Sequence, residues 1–197
     1  CSDHGEMLYE YKTPPYLVRD RIEKTGGLPD GVKDLFGRGH RTWYYEELWN
    51  TPFVLAGPGI PSGRSDGLVA NLDIYPTVLD ALDLGARPWL EGKSLWCGAE
   101  PAHERVFAHG HLTSAVVERS GKKLVRYGKT WFLAGEDDPH PTEMFDLRAD
   151  PVEDRDLSAA QPGERARLEA EILKWQIEGA RDANTETTEA MREALRA

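Results

Sequence analysis

A chain of 197 residues can bury a core, and 40% hydrophobic with 29% charged residues is the composition of a globular protein. A formal net charge of −10 argues against nucleic acid as a partner, and it means that an anionic substrate would need local positive charge or a metal ion. Two cysteines, Cys1 and Cys97, make neither a disulfide framework nor a zinc cluster, and no apolar run approaches the length of a membrane span. In chain order, Cys1-Ser2-Asp3-His4-Gly5-Glu6 comes first. Adjacent Asp3 and His4 offer a carboxylate and an imidazole on one short loop, a donor pair that suits a divalent cation. The plain alternative is a polar turn, and two neighbours cannot complete a metal shell.

Pro14-Pro15 starts a short helix that Gly26-Gly27 ends, and the segment from Leu28 to Gly39 is loop. His40 follows Gly39 and precedes an aromatic run through Trp43, Tyr44, Tyr45 and Trp49. Pro52 to Ala56 is a short apolar run closed by Gly57-Pro58-Gly59, the pattern of a strand buried on both faces of a parallel sheet. Asn71 to Leu82 is predicted as a helix capped by Asp73, with Ile74, Val78, Leu79 and Leu82 on one face and Gly85 as its stop. Leu90 to Leu95 is loop, and Gly98 to His103 is a boundary.

Beyond that boundary the hydrophobic period changes from helical to alternating. Short strands are predicted at Val106–Ala108, Ala115–Glu118, Lys123–Tyr127, Thr130–Leu133 and Glu143–Leu147, separated by turns such as Ser120-Gly121. Pro162 opens a helix with Leu168, Ile172 and Trp175 on its apolar stripe, and residues from Asp182 onward are a solvated helix or a frayed tail. Lys122, Lys123 and Arg126 are expected on the solvated side of their strand. Glu46 and Glu47 are expected to be structural, holding the segment before Pro52 through a basic side chain rather than acting as an acid–base pair. His109 and His111 share one face of a strand, but no third metal ligand stands out, so a pocket rim or loop is expected. Trp43, Trp49, Trp89 and Trp96 are expected in the core rather than around a sugar.

Taken in order, the motifs resemble the C-terminal portion of a sulfatase, an arylsulfatase-like member of the alkaline-phosphatase-like superfamily. The matching pieces are Ser2 to Glu6, Gly39-His40 with Tyr45-Glu46-Glu47, Pro52 to Gly59, Asp73 to Leu79, Leu90 to Leu95, and Met144 to Leu147 with Asp150-Pro151. Each is short; six in the right order are specific. The resemblance implies an α/β fold: the back part of a sandwich with a largely parallel sheet, followed by a small antiparallel sheet with a C-terminal helix. The expected divisions are residues 1–98 for the catalytic α/β part, 99–160 for the antiparallel subdomain and 161–197 for the helix and polar tail.

The resemblance also implies chemistry: hydrolysis of a sulfate ester, a small molecule or a carbohydrate, with a divalent metal ion that is calcium first and magnesium or manganese otherwise. Asp3 and His4 match two metal ligands of such enzymes, and His40 matches the position of a Lys or His set against the anionic group. As a cation His40 can pair with sulfate, and its ring can give a proton to the leaving oxygen. The nucleophile of the family is a formylglycine made from the Cys of a Cys-x-Pro-x-Arg motif, and neither Cys1 nor Cys97 sits in one. The formylglycine and the remaining aspartate ligands are therefore expected upstream, and any signal peptide would precede Cys1, which leaves the compartment open. A phosphate or phosphonate monoester hydrolase of the same superfamily is the first rival. The second is a non-catalytic module that completes its sheet as an oligomer or with a partner chain.

Overall fold

The computed structural model describes residues 44–85, 87, 89–96, 103–110, 113–127 and 142–194, with side chains as far as residue 179. Its centre is a four-stranded antiparallel meander, β1 (Arg105–His109), β2 (Thr113–Glu118), β3 (Lys122–Tyr127) and β4 (Thr142–Asp146), in the order β1-β2-β3-β4. Four of the predicted strands are these, within two residues at each end; the fifth, Thr130–Leu133, lies outside the described residues. The β2–β3 hairpin closes through Arg119, Ser120 and Gly121. Gly121 takes φ +90° and donates its N–H to the Glu118 carbonyl at 2.8 Å. A glycine is suited to that left-handed position because it has no Cβ to clash.

Register decides which side chains share a face. Phe107 lies opposite Val116, Val116 opposite Leu124, and Leu124 opposite Met144, so these four form one line across the sheet. Helix α3 (Pro162–Ala194) lies on that face, where Leu168 and Ile172 join Val116, Leu124 and Met144 in a cluster of fully buried side chains. The predicted stripe also holds at Trp175, whose ring stacks on Phe107 with centroids 5.0 Å apart. Polar residues of the same face pair with the helix: Arg126 with Glu169 at 3.2 Å, and Arg167 with Glu118 at 2.8 Å. Hydrogen bonding to Arg167 draws the Glu118 carboxyl below its usual range despite partial burial, and hydrogen bonds to Glu164 first and Glu118 second raise the guanidinium. Arg126 is thus not on a solvated side, because α3 covers the face it occupies. His109 faces the helix as well, with Nδ1 2.9 Å from the Ser114 hydroxyl and Gln176 beside both; His111 lies outside the described residues.

Ahead of the sheet the expectations fare differently. The helix predicted over Asn71–Leu82 is a 3-10 turn (Asn71–Asp73) running into α2 (Ile74–Ala81), preceded in the chain by a single turn, α1 (Glu46–Trp49). Helix α2 ends with Asp83 in the left-handed region at φ 53° and the Leu84 N–H reaching back to the Leu79 carbonyl at 2.9 Å; Gly85, the expected stop, follows outside the helix and is left-handed too, at φ 74°. Its buried residues are Thr77 and Leu79; of the predicted face Leu79 is buried and Ile74 half-buried, whereas Val78 and Leu82 are exposed. Residues 52–56 form no strand, and Val54 is 76% exposed. A strand exists only through ladder partners, and none pairs with this run among the described residues. No helix among them is long and apolar enough to cross a membrane.

This packing separates neighbouring positions of α3 sharply. Ile172→Ala should destabilise the domain by about 2–5 kcal/mol, since the side chain is fully buried. Leu173→Ala, one position along and 40% exposed, should cost about 0.5 kcal/mol or less. Urea unfolding of both variants checks the pair.

Candidate functional site

The opposite face of the sheet carries the alternate residues, and there the chain assembles a buried polar cluster. Ala115, Val125 and Glu143 are cross-strand neighbours, as are Val117, Lys123 and Phe145. Helix α1 and its preceding Tyr45 lie on this surface. The Tyr45 ring packs against Phe145 at 6.0 Å, and its hydroxyl donates to Glu143 Oε2 at 2.6 Å. Tyr127 donates to the same oxygen, also at 2.6 Å. Burial, then the neighbouring Tyr127 and Glu143, pushes the Tyr45 hydroxyl well above its usual range. Burial and the Glu143 charge do the same to Tyr127. Both phenols are therefore fixed as donors at any ordinary pH.

Beside them stands Lys123, expected on the solvated side and found with no exposure at all. Successive strand residues point to opposite faces, so Lys122 and Lys123 cannot share a side. Lys122 reaches Asp146 at 2.9 Å; Lys123 turns inward, with Nζ 2.9 Å from Glu46 Oε1 and 2.8 Å from Glu153 Oε1. It also lies 5.0 Å from the Trp49 ring centroid, a cation–π contact. Glu46 is thus structural and paired with a basic side chain, as expected. Glu153 closes the cluster from the far side: its Oε2 accepts the Glu46 backbone N–H at 2.6 Å. It does so from a backbone φ of 56°, a left-handed conformation disfavoured for a non-glycine residue by about 1–2 kcal/mol. Burial raises the Glu153 carboxyl and outweighs the lowering by Lys123. The charge of Glu46, which shares the same ammonium, adds a smaller raising contribution.

A second junction forms around Asp73, which has no exposure. It makes no side-chain cap for α2. Instead Oδ2 accepts the Ala70 N–H at 2.9 Å, Oδ1 accepts the Lys93 N–H at 2.8 Å, and His103 Nε2 sits 2.8 Å from Oδ1. Thr77 extends the junction, donating to the Asp73 carbonyl at 2.6 Å and accepting from the Leu95 N–H at 3.0 Å. The loop of residues 90–95 is thereby sewn onto the start of α2. Gly92 packs so closely on the Leu72 carbonyl that a Cβ there would overlap it. A cleft of ≈1340 Å³ opens between residues 50–72 and the β1–β2 side of the sheet, lined in part by Phe53, Leu68, Val106 and Val117.

Of the residues expected to carry chemistry, Asp3, His4 and His40 lie outside the described residues. Among the described residues no group of three or more His, Cys, Asp or Glu side chains could hold a metal ion. Trp89, expected in the core, is 68% exposed, Trp49 is half-buried against Lys123, and Trp43 lies outside the described residues. Sequence reasoning missed Lys123, Glu143, Glu153, Tyr127 and His103. The double-lysine on a strand was the available signal, because one of the two had to face inward.

The cluster predicts a specific loss. Tyr127→Phe removes one of two phenol donors to the buried Glu143 carboxylate and should destabilise by about 1–3 kcal/mol, measured by thermal melting. Combined with Tyr45→Phe it should depart from additivity, since both donors share one oxygen.

Comparison with known proteins gives this architecture its context. A family model described as Sulfatase matches residues 1–84. Choline-sulfatase of Rhizobium meliloti (strain 1021) is 28% identical over 215 aligned residues, covering 100% of this chain and 35% of its own length. Arylsulfatase K of Mus musculus is 26% identical, covering 82% of this chain and 32% of its own length. Among solved structures, a 2-O GAG sulfatase aligns with a TM-score of 0.52 at 25% identity, over 68% of this chain and 32% of that one. The chain thus spans about a third of the length of the curated relatives it matches. These matches agree with the ordered motifs: the chain is similar to a portion of a sulfatase in sequence and, over the aligned part, in fold.

Proposed function

We propose that this chain is the back part of a sulfatase-type enzyme that hydrolyses sulfate esters. The observation that carries the reading is the family match over residues 1–84, because that stretch contains Asp3, His4 and His40 together. In this reading Asp3 contributes a carboxylate oxygen and His4 a ring nitrogen to a divalent ion, calcium before magnesium or manganese. The described residues supply no further ligand cluster, so the rest of the shell comes from other parts of the polypeptide. When bound, the ion polarises the sulfuryl oxygens. His40 pairs with the anionic group and passes a proton to the leaving oxygen. The nucleophile is expected from an upstream Cys-x-Pro-x-Arg segment. The relatives named as a choline-sulfatase and a 2-O GAG sulfatase support a small-molecule or carbohydrate sulfate as the substrate class.

The reading extends to the fold. A largely parallel sheet, completed by upstream sequence, would give residues 52–56 ladder partners and would cover α2. Exposed Val54, Leu72, Tyr75, Val78 and Leu82 support this, since such a row is unusual on a finished monomer surface. The isolated chain of 197 residues should therefore self-associate. Sedimentation velocity should give oligomers or aggregates, and a single sharp monomer boundary would count against the missing-sheet reading.

The activity is tested on the polypeptide expressed with its upstream region. Aryl sulfate should be turned over faster than an aryl phosphate or phosphonate monoester. A chelator should abolish turnover and calcium restore it. Asp3→Ala should lower metal affinity by about 10-fold or more. Preference for phosphate or phosphonate would move the chain to the rival hydrolase class. Absence of any upstream nucleophile would favour a non-catalytic module.

A further inference from the structure

We infer that the seat of α1 on the sheet is a proton-dependent joint, in which Glu153 carries a proton that the tightest docking of α1 requires. Three side chains meet there, and their charges do not balance. Lys123 Nζ lies 2.9 Å from Glu46 Oε1 and 2.8 Å from Glu153 Oε1, so the two carboxylates exceed the ammonium by one negative charge. Their surroundings differ. The Glu46 side chain keeps 21% of its exposure, and its carboxylate accepts a hydrogen bond from Nζ at 2.9 Å. The Glu153 side chain has no exposure, and its Oε1, although close to Nζ, is not angled to accept and takes no hydrogen bond from the protein. Burial penalises an ionised carboxylate far more than a neutral carboxyl, most of all where an oxygen lacks a donor. Of the pair, Glu46 is the one that stays ionised, and Glu153 is the one that takes the proton.

The other titratable groups around Glu153 are set by the elements packed on it. Helix α1 brings the Glu46 charge, which favours the proton, and β3 brings Lys123, which opposes it. Strand β3 also brings Tyr127, whose hydroxyl feels the Glu153 charge and donates to Glu143 of β4, as does that of Tyr45. Burial raises the Glu153 carboxyl further than Lys123 lowers it. A proton on Oε1 leaves Oε2 free to accept the Glu46 N–H, so protonation removes the excess charge without breaking that link. A carboxyl that titrates higher in the folded protein than in the unfolded chain stabilises most below the ordinary carboxylate range. That contribution is lost as the pH rises through the raised value, and α1 then sits over an uncompensated negative charge.

The test is native-state hydrogen exchange on the polypeptide carrying its upstream region, read by mass spectrometry on the peptide that spans α1. Between about pH 5 and about pH 9, after correction for the intrinsic pH dependence of exchange, the opening equilibrium of α1 should rise by about 3-fold or more. Glu153→Gln keeps an oxygen for the Glu46 N–H and cannot ionise, so in that variant the rise should be absent. The NMR signal of the Glu153 carboxyl in the unsubstituted protein should titrate above the ordinary carboxylate range, and it decides the matter alone if Glu153→Gln does not fold. A rise that persists in Glu153→Gln, or a Glu153 carboxyl that titrates at or below the ordinary value, would overturn the inference. Neither readout involves turnover, so the outcome is independent of the sulfate-ester reading.

Discussion

The structure depends on one buried ammonium. Lys123 enters the interior between Glu46 and Glu153, and the two halves of the described chain meet around it. On one face of the sheet an apolar seam to α3 supplies the core, a contact set by volume and pattern. On the other face the closing contact is ionic and hydrogen-bonded, so it is set by position. A seam of leucine, isoleucine and methionine accepts small shifts; a desolvated ammonium does not. The consequence is that α1 has one seat on the sheet.

Asp73 works in the same way at smaller scale. Its carboxylate gathers two backbone N–H groups and one imidazole nitrogen from three separate stretches of chain. The residues of the matching motifs thus divide by role along the chain. Glu46, Asp73 and the loop of residues 90–95 are joints, whose polar groups are spent on other parts of the same protein. Asp3, His4 and His40 have the donor types of a reactive site and precede the first of these joints.

The alternating period after residue 103 was legible because the meander is local: each strand pairs with its neighbour, and Gly121 marks the β2–β3 reversal. The stripe of Leu168, Ile172 and Trp175 was legible for the same reason, since helix periodicity is written within one segment. What failed involves partners distant in sequence. Lys123 was assigned to solvent because its carboxylates come from Glu46 and Glu153, neither within reach of any local pattern. Asp73 has the right residue type and place for a cap, yet its carboxylate turns toward the loop at Lys93. The apolar run at residues 52–56 has strand composition without a ladder, because composition reports what a segment can join and not what lies beside it.

That asymmetry explains why an ionic joint should sit where it does. Replacing a whole buried ion cluster with apolar side chains of similar volume is often neutral or stabilising, so stability alone does not account for Lys123. Glu153 adds to the argument, since it takes a disfavoured left-handed backbone and a burial-raised carboxyl to reach the Glu46 N–H and Lys123. Two local penalties accepted at one residue need a compensating constraint, and the one on view is the fixed placement of α1. An apolar plug would hold the same elements together without holding them in register. The cluster exchanges some stability for a single position, that of α1 against β3 and β4.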